Sequence, residues 1–512
     1  MKRAHSSFVT VSLVLLSFGS MGSQCLPTEP NPDYMLPGAR DGSVDAADLT
    51  TLDLSVVACT ASVDCKDAAA PLCVAGKCVK CGGPADDAAC AMRKAATPRC
   101  DAPSGACVAC RATPDCSADP KTPICDRTAC RGCKRNDECA SGVCNPDGAC
   151  AADAEIVFVD NKGGACVGLG HAGSAADPHC QIAAALSSLG MKRIVKVAGS
   201  KALTGYEPFS VKTSIDVRIV GPGVAAIPAA EIKPIGIFAV EVNIGAGMTA
   251  KLQLEGLVVF GSGGGSPPQD AVNCFNGGGT ALALTLRDCS VQSAGKIGVS
   301  AKDADVTITS STITGNQGGG VSSSGGTLTV TSSTIAKNAG FGINVLSGKY
   351  NLVNNFIVEN PGTGITFTKD ANGVFAFNTV AGNVALNQIG IDCGGLGITK
   401  VLEHSIVVRN STVPAGMATS QFAGNCTLAN VVTGPDAFAG ARMIMPRFKS
   451  EVAGMLDFHL LKGDPANVGM SGCCVDKVST PDAGAMSLPA TDIDGDKRPL
   501  GLGWDVGADE VE

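Results

Sequence analysis

Between residues 286 and 410, apolar and polar positions alternate in short runs, and the runs return at a fixed interval. Val291, Ile313, Ile335 and Ile357 are each 22 residues apart, and Val380 follows after 23. Val299, Val321, Ile343 and Ile365 form a second series with the same spacing, continued less regularly at Ile391. Stretches such as "VTITSSTI" and "LTVTSSTI" alternate with period two and are rich in Val, Ile and Thr, which predicts strands. The Gly-rich turns "GKIG", "GGGV", "GFGI" and "GTGI" lie between them.

A period near 22 with two or three short strands per repeat predicts a coil in which each turn stacks on the last. Span over period gives about ten turns. Val291, Ile313, Ile335, Ile357 and Val380 then form one inward aliphatic stack. Asn316, Asn338, Asn360 and Asn383 each fall three residues after an aliphatic position, with Asn410 following less regularly. Stacked parallel strands let such residues bond the copy above and below, so a structural Asn ladder is expected. The plainer alternative is that Asn tolerates turns. The Ser-rich corner "SSSGG", which contains Ser323, is expected to face water.

The rest of the chain differs in character. Residues 1–24 combine Lys2 and Arg3 with a short apolar run, the layout of a secretory signal. Residues 25–58 are Pro-rich and acidic and read as a flexible tether. Residues 59–150 repeat a four-cysteine unit: Cys59, Cys65, Cys73, Cys78; Cys81, Cys90, Cys100, Cys107; Cys110, Cys116, Cys125, Cys130; Cys133, Cys139, Cys144, Cys150. Units this short cannot supply an apolar core, so disulfides within each unit are expected to replace it. Zinc is the competing reading of the Cys-x-x-Cys joints, but the segment has no His. Residues 151–210 read as the N-terminal cap, 211–435 as the coil and 436–512 as a closing segment.

The 25 cysteines fit an exported chain. Sixteen lie between Cys59 and Cys150 and eight beyond, so both groups have the parity for full pairing, leaving Cys25 over. Cys25 follows the signal where a lipid anchor would sit, although Gly22 and Gln24 depart from the lipobox pattern. Plain cleavage near Gly22 or Ser23 is the alternative. The expected location is therefore the outer membrane or cell surface as a lipoprotein, or the extracellular space. Membrane contact is expected only through that anchor. The net charge of −8 argues against nucleic acid as a partner.

The coil resembles the right-handed parallel β-helix family, the pectate-lyase-like superfold. "EIVFVDNKGGACVGLGHAGSAADPHCQIAAAL" is similar to the opening of secreted β-helix proteins, and "DFHLLKGDPANVG" with "DIDGDKRPLGLGWDVGADEVE" resembles the closing segment of the choice-of-anchor Q family. The resemblance implies an all-β right-handed parallel β-helix behind a small disulfide-rich repeat region. The Cys-rich units themselves resemble small repeats of bacterial surface proteins, which implies a stalk or interaction module.

Enzymes of this superfold act mostly on acidic polysaccharides and need clustered carboxylates with a base, or paired acids. The Gly-His-Gly, Asn-Thr-Asp and Arg-Ile-Lys motifs of the polygalacturonase branch do not occur. Acids in the regular turns are sparse: Asp288, Asp303, Asp305, Glu359 and Asp370. Cys166, His171, His179 and Cys180 suggest either zinc or a Cys166–Cys180 disulfide, and export favours the disulfide. Asp492, Asp494 and Asp496 have the spacing of a calcium loop, without the Glu that an EF-hand places twelfth; a tight Asp/Gly turn is the alternative. Otherwise no cofactor is expected. The expected role is non-catalytic binding or surface structure, with an extracellular or envelope polysaccharide or another surface protein as partner. The alternative is a polysaccharide lyase or glycoside hydrolase with an unrecognised active site.

Overall fold

The computed structural model describes residues 59–511, apart from 163–165, 167–169, 201–203, 235–237, 264–266, 385–388, 396, 411–420, 435–437, 453–455, 470 and 480–487. The chain winds into a coil of parallel strands with three faces. One 10-stranded sheet forms the third face, and an 18-stranded sheet holds the first two together with the N-terminal cap. The first two faces merge because Gly319–Thr331 and Phe341–Val353 run through the corner without a break.

Each inward row follows from period-two alternation in parallel register. On the third face Val291 pairs with Ile313, Ile313 with Ile335, Ile335 with Ile357 and Ile357 with Val380, all fully buried. On the first face Val299, Val321, Ile343, Ile365 and Ile391 stack the same way. The second face adds Leu254, Leu286, Ile308, Val330, Leu352 and Phe375, a row whose spacing is irregular outside the central turns. Together these rows make one continuous core.

The bend after the third face is held by side-chain amides. Asn316 Nδ2 donates to Asn338 Oδ1 at 2.8 Å, Asn338 to Asn360 at 2.9 Å, Asn360 to Asn383 at 2.9 Å and Asn383 to Asn410 at 2.9 Å. Each Oδ1 also accepts the preceding turn's backbone N–H, so the turn's amide groups are satisfied away from water. Gln421 ends the row by accepting from Asn410. The repeated glycines follow from this ladder. A Cβ on Gly342 would lie 2.5 Å from Gly364 O and 3.0 Å from Asn360 Nδ2. A second polar ladder, Ser311, Ser333, Asn355, Asn378 and Ser405, holds the corner before the third face.

Ser323 does not face water. It continues the alternation two residues beyond Val321, stacks inward between Ala301 and Val345, and is 1% exposed. The corner lies one residue further on, at Ser324 to Gly326.

The four Cys-rich units share one pattern, first to third and second to fourth. The bonds are Cys59–Cys73, Cys65–Cys78, Cys81–Cys100, Cys90–Cys107, Cys110–Cys125, Cys116–Cys130, Cys133–Cys144 and Cys139–Cys150. The last unit is docked on the coil: Val143 and Ala151 pack with Ile156, Ile194 and Val220. Beyond residue 150 the even count of cysteines does not mean full pairing. Cys166–Cys180, Cys393–Cys426 and Cys473–Cys474 are bonded, but Cys274 and Cys289 are free thiols inside the coil. They sit on inward positions of different rows and serve as small apolar side chains.

At the N-terminal end, Ile156–Val159 and Ile194–Val197 pair in parallel with each other, and Ile194–Val197 continues onto Ile215–Val220. The short helix Ile182–Ser187 buries Ile182 and Ala185 against this end. The third face runs on to Ala441–Met443. The chain then folds back along the outside of that face. Ala336, Val358, Ala381 and Val408 point outward from it and are buried by Phe448, Phe458, Leu460, Val475 and Val506. No helix among the described residues is long and apolar enough to cross a membrane.

Candidate functional site

Two places with grouped charged side chains are candidate sites, one at the N-terminal end of the coil and one in the closing segment along its third face. The first is the seam between the last Cys-rich unit and the coil. Strands Ile215–Val220, Thr249–Glu255 and Ala281–Arg287 lie side by side; Glu255 is in register with Arg287, and Arg218, in register with Gln253, reaches Glu255 diagonally. Arg218 reaches Glu255 Oε2 at 2.9 Å through Nε and 2.7 Å through Nη2, and Arg287 Nη2 reaches the same oxygen at 2.7 Å. Asn136 Nδ2 donates to the other oxygen at 2.8 Å. Burial alone would push the Glu255 carboxyl up, but the two guanidiniums outweigh it and hold it low. A cleft of about 940 Å³ opens beside the cluster, lined also by Lys134, Lys196 and Asp288. Both Glu255 oxygens are already committed, so this carboxylate works as a joint and not as a proton-transfer group.

The second place is the closing segment. Arg498 and Glu510 are both buried, with Arg498 Nε 3.6 Å from Glu510 Oε2. Arg498 also donates to Gly507 O at 2.9 Å and lies over the Phe377 ring at 5.3 Å. Asp492 accepts the N–H groups of Asp494, Asp496 and Glu510 at 2.9, 2.8 and 3.1 Å. It is a turn staple. Among the described residues Asp492, Asp494 and Asp496 do not gather into one ligand set. The set that does gather is His459, Asp494 and Asp509. Burial would lower the His459 pKa, but its bond to Asp457 and the nearby Asp509 and Asp494 raise it overall. Burial pushes the Asp509 carboxyl up to about 6.

The remaining sequence candidates separate. His171 pairs with Asp177 at 2.8 Å and His179 with Ser188 at 2.7 Å, while Cys166 and Cys180 bond each other. The three sulfur triplets in the Cys-rich units are close only because their members are disulfide partners or neighbours. Cys25 lies outside the described residues. His459 and Asp509 were not singled out from sequence. The available signal was a His two residues after an Asp in "DFHL", but nothing in the chain order ties it to a tail 50 residues away.

A protein-family model described as "Right handed beta helix region" matches residues 270–432. The coil is a right-handed parallel β-helix. A second model, a family of unknown function (DUF8331), matches residues 47–157, the Cys-rich units and their flanks. A solved structure titled "Crystal structure of pectate lyase Pel9A" is similar at 13% identity and a TM-score of 0.43, covering 70% of this chain and 96% of that chain. No curated protein matches. The β-helix match falls on the regular turns, where the Asn ladder and aliphatic stacks lie. The density of disulfides marks an exported protein.

Proposed function

We propose that this protein is a surface-tethered β-helix that binds or scaffolds and does not cleave. Its partner is an extended extracellular polysaccharide or another surface protein. Its tether is Cys25 with the acidic stretch that follows, in the manner of the choice-of-anchor Q proteins that its closing segment resembles.

The observation that carries the reading is the outward side of the second face. Gln253, Thr285, Thr307, Thr329 and Asn351 stand one above another in parallel register, each part-exposed. Thr309 and Thr331 run beside them, with hydroxyls 3.1 Å apart. Parallel strands repeat at about 4.8 Å, so this is a regular array of uncharged donors and acceptors. Such an array suits a repeating polar polymer. A groove of about 420 Å³, lined by Thr331, Asn351, Asn354 and Leu488 to Thr491, borders it. The Arg218–Glu255–Arg287 joint on the coil is closed on itself, which also speaks for binding over chemistry.

The lyase or hydrolase alternative draws on His459 and its carboxylates, which lie on the closing segment. One experiment separates the two. The mature chain is screened on a polysaccharide panel for retention and for release of reducing or unsaturated ends. Retention without cleavage, abolished by Thr329→Arg at unchanged melting temperature, supports the proposal. Catalytic release of fragments, lost in His459→Gln, overturns it in favour of the enzyme.

A further inference from the structure

His459, Asp494 and Asp509 come from three separate stretches: the strand Asp457–Leu460, the turn closed by the Thr491–Lys497 bridge, and the C-terminal tail. Their ligand atoms lie within 4.8 Å of one another. His459 Nδ1 is bonded to Asp457 Oδ1, which leaves Nε2 as the lone-pair nitrogen of the neutral ring. That Nε2 is buried and makes no hydrogen bond. It points at Asp494 Oδ2, 3.1 Å away, outside hydrogen-bond alignment. Phe356 packs edge-on against the imidazole at 4.9 Å and fixes the ring plane. Asp509 is 3% exposed, and one of its oxygens accepts Leu460 N–H at 2.6 Å.

We propose that His459 Nε2, with one oxygen each from Asp494 and Asp509, binds a divalent transition-metal cation of the zinc class, and that Asp457 orients the imidazole from behind. A carboxylate on the far nitrogen is the usual support of a metal-bound histidine. Imidazole with two carboxylates suits zinc or its first-row neighbours better than calcium, which prefers oxygen throughout. Tetrahedral zinc with bonds of 2.0–2.1 Å sets its ligands about 3.3 Å apart, close to the His459–Asp494 separation. His459 and Asp494 also line a groove with Ser310, Thr312, Ser332 and Thr334. The cation would clamp the three stretches that cover the third face, joining what the covalent chain leaves separate.

The test uses the full mature chain, stripped with chelator, dialysed and titrated with zinc, calcium and magnesium. The readouts are metal content, calorimetric binding and melting temperature. One equivalent of zinc, at least tenfold tighter than calcium, with a rise in melting temperature, is the expected result. Asp494→Asn changes an exposed side chain and should fold, yet it should weaken zinc at least tenfold. Asp457→Asn should weaken it by roughly 10- to 100-fold, as loss of a supporting carboxylate does. Absence of a stoichiometric zinc site overturns the proposal, and the cluster is then an imidazolium held between carboxylates. Zinc binding that Asp494→Asn and His459→Gln leave unchanged also overturns it, because the ion then sits elsewhere.

Discussion

Asn338 Nδ2 donates to Asn360 Oδ1 at 2.9 Å, and Asn338 N–H donates to the same oxygen at 3.0 Å. One acceptor thus satisfies two donors from the turn before it. Asn338 repeats the arrangement toward Asn316 and also donates to Ile313 O at 3.0 Å. Asn338→Ala removes the side chain and leaves Asn316 N–H, Asn316 Nδ2 and Ile313 O with lost partners in a site that excludes water. Each buried unsatisfied group costs about 1–3 kcal/mol, so a loss of roughly 3 kcal/mol or more is expected. Asn338→Asp should be worse, since the carboxylate would face Ile313 O and Asn360 Oδ1 with no hydrogen to give. Denaturant melts would show both. An alanine variant as stable as the parent would mean that the ladder is ornamental.

The buried Ile335 and Ser323 make a contrasting pair. Ile335→Asp places a carboxylate between Ile313 and Ile357 and should cost several kcal/mol, unless the group stays protonated. Ser323 is also inward, and its hydroxyl has no hydrogen-bond partner. Ser323→Asp should therefore be destabilising too, while Ser323→Ala should be neutral or stabilising by up to about 1 kcal/mol. Thermal melts of the three variants decide the register. A well-tolerated Ser323→Asp would return that residue to the surface.

The coil was legible because every turn needs the same inward layer, which writes a period of 22 into the chain at Val291, Ile313 and Ile335. The Asn series was readable for the same reason. Ser323 was misread because Ser signals turns by composition, whereas its place is fixed by counting two from Val321. The second polar ladder was missed because Ser311, Ser333, Asn355 and Asn378 mix two residue types that do the same job. Parity could not show that Cys274 and Cys289 stay free, since pairing depends on which rows they occupy. The His459 cluster was out of reach, because it is assembled by a tail folding back over the third face.

Arg218 should be the joint between the Cys-rich region and the coil. It holds Glu255 and donates to Cys144 O at 2.7 Å. Arg218→Ala leaves Glu255 buried with one guanidinium, Arg287, and the side-chain amides of Asn136 and Gln253. Removing one partner of a buried pair typically costs about 3–5 kcal/mol. The variant should also expose the stretch around residues 145–155 to limited proteolysis, with the coil itself remaining folded. Cleavage kinetics identical to the parent's would show that the apolar contact of Val143 with Ile156 and Val220 holds the joint alone.

Asp505 gives the closing segment a pH dependence. It is fully buried, and its oxygens accept Asp476 N–H and Val511 N–H, each at 2.8 Å. Burial, with Glu510 alongside, pushes its carboxyl up to about 7 from 3.8, despite those bonds and the nearby Arg498. The folded state therefore holds a proton that the unfolded chain has released. Its contribution is fully present below the unfolded pKa and is lost as pH rises toward about 7. Stability from this group falls across that window and is flat above it, by at most roughly 4 kcal/mol. Asp505→Asn mimics the neutral form but cannot accept both N–H groups, so it carries a constant penalty. The expected outcome is a variant that is closest to the parent at neutral pH and falls progressively behind it as pH drops toward 4. Melts of both chains between pH 4 and pH 8 measure the gap directly. A gap that does not change with pH would mean that Asp505 is already ionised throughout, held so by Arg498 and its two backbone donors.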